Sequence, residues 1–100
     1  MVVNFSIVPM DKGGSLSPYV AQVVKLVEDS GLDYHLHAMG TVVEGDWDEV
    51  FGLVRLCHEK MRSGSTRVIT TVQVDDREGA VNRLEGKRKS VETKIGHPLL

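Results

Sequence analysis

Glu44 closes an otherwise apolar run, Thr41-Val42-Val43-Glu44, and lies shortly after a His-x-His pair, His35 and His37. Three kinds of chemistry suit these residues. Imidazoles at i and i+2 share one face of a strand, and with a carboxylate they form a metal-ligand set. An imidazole beside a carboxylate can act as a general base. A carboxylate in an apolar strand costs free energy unless it meets a donor or a cation, so Glu44 alone also marks a place for a partner. No further well-spaced ligand accompanies the three, and no metal is expected. Ser6, Ser15, Ser17, Thr41 and Cys57 carry nucleophilic groups, but none has a recognisable paired base, so no catalytic residue is assigned. Ser17 already has a use as a helix cap. Gly13-Gly14 ahead of a helix offers an anion cradle, without the rest of a phosphate-loop pattern. Trp47, Tyr19 and Tyr34 are expected to pack first, with ligand stacking at Trp47 as the second use.

The elements that position these residues follow from period and punctuation. Val2–Val8 is rich in strand formers. Ser17 as N-cap and Pro18 as first helical residue open a helix carrying Val20, Val23, Val24 and Val27, which Gly31 ends. Tyr34–Met39 and Thr41–Glu44 read as a hairpin. Asp46 and Glu49 have capping-box spacing, so a second helix starts there and runs to about Arg62, ending at Gly64. Its apolar stripe is Trp47, Val50, Phe51, Val54, Cys57 or His58, and Met61. Arg67–Asp75 alternates as a strand, and Ala80–Ile95 is a weaker third helix stopped by Gly96. The order β-α-β-β-α-β plus a terminal helix gives an α+β class, with ferredoxin-like βαββαβ topology. Its four-stranded antiparallel sheet has the order 4-1-3-2, with helices on one face.

Such a sheet keeps one face open. Val3, Phe5 and Ile7 should turn to the helices, leaving Asn4, Ser6 and Val8 outward. A turn at Met39-Gly40 pairs Ala38 with Thr41 and Leu36 with Val43, placing His35 and His37 beside Val42 and Glu44. The open face then gathers Asn4, Ser6, His35, His37, Glu44, Thr71 and Gln73 among Val8, Val42 and Ile69. That mixture suits a subunit interface, a small-molecule pocket, or a pocket between subunits.

Bulk properties narrow the classes. The chain has 100 residues, a formal net charge of -2 and a single cysteine. We read one domain over 1–100, without an intrachain disulfide, in the cytoplasm. No long apolar run suggests a membrane span. The near-balanced charge, and central strands without exposed aromatics, argue against nucleic acid. Lys87-Arg88-Lys89 reads as a solvated helix face.

A resemblance adds to this. Phe5-Ser6-Ile7-Val8-Pro9, Ser15-Leu16-Ser17-Pro18-Tyr19-Val20, Met39-Gly40-Thr41-x-x-Glu44-Gly45-x-Trp47-x-Glu49-Val50, Arg67-Val68-x-Thr70-Thr71-x-x-x-Asp75-Asp76-Arg77 and Lys89-Ser90-Val91-Glu92 span nearly the whole sequence. Together they resemble the small thiamine-binding proteins of the YkoF-like superfamily. The resemblance implies a cytoplasmic homotetramer joined through its sheets. It also implies a protein that binds thiamine or its hydroxymethylpyrimidine moiety as a small-molecule ligand without turning it over, and needs no cofactor. The ligand residues it implies are Ser6, Met39, Gly40, Thr41, Glu44, Trp47 and Thr71. The family more often has proline where this chain has Ala38, and an aliphatic residue where it has Phe51. Hydroxyls can serve either role toward an aminopyrimidine, and Glu44 can accept from its exocyclic amine or offset a thiazolium charge. Two alternatives stand beside a binding module. One is a small cofactor-free enzyme using His35 or His37 with Glu44. The other is a structural or regulatory oligomer.

Overall fold

Strand β1 spans Val2–Pro9, and its burial alternates residue by residue, with Val3, Phe5, Ile7 and Pro9 turned inward. That alternation is the expected period of two, and it fixes which face meets the helices. The computed structural model describes residues 1–13 and 16–99. After β1 come α1 (Ser17–Asp29), β2 (Asp33–His37), β3 (Gly40–Glu44), α2 (Trp47–Ser63), β4 (Val68–Asp75) and α3 (Arg83–Ile95). The strands form one four-stranded antiparallel sheet in the order β2-β3-β1-β4, the expected 4-1-3-2 read from the other edge.

The core lies between this sheet and α1 and α2. Phe5 and Val3 of β1 and Val43 of β3 meet Val27 of α1 and Val50 and Cys57 of α2, all essentially sealed from solvent. Burial pushes the Cys57 thiol up to about 11, so it behaves as a small core residue and not as a nucleophile. Helix α2 starts where its capping box predicts. The Asp46 carboxylate accepts from Glu49 N–H at 2.8 Å, Asp46 N–H donates to Glu49 Oε1 at 3.4 Å, and Gly64 caps the C-terminus.

Three local expectations change. The N-cap of α1 is Leu16, with Ser17 as the first helical residue. Trp47 is 60% exposed and stacks edge-on against Phe51 at 4.6 Å, while Leu53 takes the inward place. Helix α3 begins at Arg83 because Asn82 adopts a left-handed backbone, φ 53°, which no helix continues through.

The end of the sheet near Pro9 is clipped by Asp11. Its carboxylate accepts from the Ser65 hydroxyl, from Thr66 N–H at 2.9 Å and from the Thr66 hydroxyl at 3.0 Å, tying the exit of β1 to the approach to β4. The Ser65 hydroxyl first, then the Thr66 amide, hold this carboxyl well below the usual carboxylate range. A carboxyl depressed by folding stabilises the native state above its ordinary value, 3.8, and loses that contribution as pH falls further. Asp11→Asn is therefore expected to be less stable than the wild type at neutral pH. The gap in urea midpoints should narrow toward pH ~3. An equal gap at both pH values would show that the charge contributes nothing.

Candidate functional site

Strand β1 runs on past β3. It pairs with β4 along its whole length, from Val2 to Pro9, but with β3 only from Val2 to Phe5. Ser6–Pro9 therefore has no strand beside it on the hairpin side. The notch is bounded by the hairpin tip on one flank and the first half of α1 on another. It is a cleft of about 350 Å³ lined by Ser6, Leu16, Val20, Leu36, Met39, Gly40 and Thr41, with Phe5 and Ile7 at its base. Leu36 is 53% and Met39 81% exposed, so apolar side chains stand open at its mouth.

Thr41 is the notable polar group here. It is only 5% exposed, yet its hydroxyl makes no hydrogen bond within the described residues. Among those residues no fully enclosed side-chain nitrogen or oxygen lacks a partner, so the Thr41 hydroxyl meets the open volume of the cleft. The Ser6 hydroxyl is likewise uncommitted. Apolar walls with a few unspent hydroxyls and a free strand edge can receive a flat heterocycle with donors and acceptors along one side.

The hairpin register is β2 His37 opposite β3 Gly40 and Leu36 opposite Thr41. The turn is thus Ala38-Met39, not Met39-Gly40, and Leu36 does not face Val43. The slip amounts to an even number of positions, so every side chain keeps its expected face. His35, His37 and Glu44 share the open face with Val42, but they do not converge. His37 Nε2 lies 2.8 Å from Asn4 Oδ1, and its Nδ1 accepts from Met39 N–H at 3.2 Å. The Met39 bond uses the Nδ1 lone pair, which leaves Nε2 as the donor toward Asn4 Oδ1. His35 meets Glu85 of α3 at 2.6 Å. Among the described residues no three His, Cys, Asp or Glu side chains gather as a ligand set.

Glu44 has found the donors that its burial requires. Its carboxylate accepts from Arg83 N–H at 2.8 Å and Leu84 N–H at 3.2 Å. Asn82 gives α3 no side-chain cap, so Glu44 supplies one from across the fold. The structure thus brings Ser6, Met39, Gly40 and Thr41 together in the cleft. Glu44 lies under α3, Thr71 on the open face opposite Ser6, and Trp47 on α2. Gly14 and Ser15, read above for an anion cradle and a nucleophile, fall outside the described residues. Sequence reasoning missed Leu16, Val20 and Leu36 as cleft walls. The signal was present in strand lengths, because an eight-residue β1 beside a five-residue β3 must leave an edge bare.

Comparison with known proteins places this geometry. The chain is 38% identical to the UPF0045 protein sll0230 of Synechocystis sp. over 93% of its own length and 78% of that protein. The solved structure of MJ1052 from Methanocaldococcus jannaschii is 33% identical and superposes with a TM-score of 0.83, covering 90% of this chain and 93% of that one. A domain of unknown function, DUF77, from Bacillus cereus is 27% identical with a TM-score of 0.75, over 88% of this chain and 86% of that one. The sequence profile described as thiamine-binding protein matches residues 3–92, and the chain belongs to that family.

Proposed function

We propose that the protein binds thiamine, or its hydroxymethylpyrimidine moiety, in the cleft between β1, the hairpin tip and α1, and releases it unchanged. The observation that carries this is the buried, uncommitted Thr41 hydroxyl in an apolar notch beside an unpaired strand edge. An aminopyrimidine presents ring acceptors and an exocyclic donor on one side. The Thr41 hydroxyl and the backbone of Ser6–Pro9 offer the complement, and Met39 can lie against the ring face. Among the described residues no carboxylate lines the cleft. The neutral hydroxymethylpyrimidine therefore fits it better than the cationic thiazolium.

The reading extends to a cytoplasmic homotetramer. Val8, Val42 and Ile69 interrupt the polar open face, and Val81, Val91 and Ile95 stand exposed on and before α3. Closing that face on a second copy is the arrangement in which Thr71 would approach a shared ligand, whereas Trp47 stands on α2, on the helix side of the sheet. Calorimetric titration with thiamine and with hydroxymethylpyrimidine tests the proposal. Saturable binding of both is expected, with affinities within about tenfold of each other, since the second ring adds no charge pair in the cleft. Thr41→Val should weaken both by roughly tenfold, the worth of about one hydrogen bond. Intact recovery of the ligand is expected. Conversion to a product would transfer the site to catalysis, and absence of heat with either compound would end the reading.

A further inference from the structure

At the opposite end of the sheet from the cleft, the first turns of α3 roof a cavity of about 410 Å³ over Val2, Val42 and Glu44. Three cations line it: Arg77, from the turn after β4, and Arg83 and Lys87, from α3. Arg83 and Lys87 stand at i and i+4, so they share one side of the helix, where like charges destabilise it. Among the described residues none of the three makes an ion pair, whereas Lys25, Arg55 and Arg88 all do. Of the two carboxylates in the wall, Glu44 is held by the Arg83 and Leu84 amides and Asp75 makes no ion pair among the described residues, so the side chains of the lining carry three cations against two anions.

We propose that this cavity is an anion site for a phosphate group, held by the guanidinium groups of Arg77 and Arg83 and the Lys87 ammonium. Guanidinium matches phosphate oxygens two at a time, and the bound charge relieves the repulsion between Arg83 and Lys87. The proposal is independent of the cleft and of what the cleft binds.

The test is a titration of the full chain with inorganic phosphate, followed by amide and Arg side-chain NMR shifts at constant ionic strength set with chloride. Saturable shifts are expected at residues 77 and 83–87. Arg77→Gln, which leaves α3 untouched, and Arg83→Gln with Lys87→Gln should each weaken binding at least about tenfold, as loss of a charged hydrogen bond does. Arg55→Gln, on α2, should leave it unchanged. A parallel titration with glycerol 3-phosphate separates the sources: tighter binding than inorganic phosphate marks an esterified phosphate, and equal binding marks the free anion. Shifts that never saturate, or that are the same in the Arg77 variant and the wild type, would overturn the assignment.

Discussion

Gly40→Ala is expected to destabilise the protein by about 1–3 kcal/mol, the range for forcing an atom into a filled space, and to abolish binding in the cleft. A Cβ on residue 40 would lie 2.7 Å from the carbonyl oxygen of Phe5 and 3.4 Å from Asn4 Oδ1. The first of these is backbone, fixed by β1's pairing with β4 on its other side and by the burial of Phe5. It cannot retreat as a flexible side chain would. The second is already engaged by His37 Nε2. The strain must therefore open the β1–β3 junction, which is where the cleft begins. Chemical denaturation reads the first effect, and titration with hydroxymethylpyrimidine reads the second. An alanine variant with wild-type stability and affinity would show that the close approach is not a constraint.

Glu44→Ala should release the start of α3 and leave the cleft working. Two backbone amides lose their acceptor, and Asn82 offers none in its place. The loss of an N-terminal cap costs about 0.5–2 kcal/mol. No residue of α3 is buried, so the cost should appear as local opening rather than as global unfolding. Hydrogen exchange at the amides of residues 83–86 is expected to quicken by about tenfold, the equivalent of ~1.4 kcal/mol, with protection in α2 and β1 unchanged. Affinity for thiamine should change little, since Glu44 does not line the cleft. A collapse of affinity with α3 still protected would move the ligand to Glu44.

Local signals made most of the fold legible in the sequence. The Asp46–Glu49 box, Gly64 and the alternation of Val3, Phe5 and Ile7 each specify an element within a few residues, and each is found. The faces of the hairpin were readable although its register was not. Gly40 looks like a turn glycine, but its missing side chain serves the close approach to Phe5, so the turn falls one residue earlier. The site was only half legible, for a similar reason. That Glu44 needs a partner follows from its apolar strand. That the partner is the Arg83 amide, 39 residues downstream, depends on a tertiary contact with no local signature. Trp47 misled through its size: it stands 60% exposed at the start of α2, with its ring edge-on against Phe51.

The most direct test of the account is an NMR titration of the labelled protein with hydroxymethylpyrimidine, mapped residue by residue. Saturable shifts centred on Ser6, Leu36 and Met39–Thr41, fading toward Val2 and α3, are the predicted result. Shifts confined to Thr71, Gln73 and the open face, or none that saturate, would contradict the placement of a ligand in the notch where β1 outruns β3.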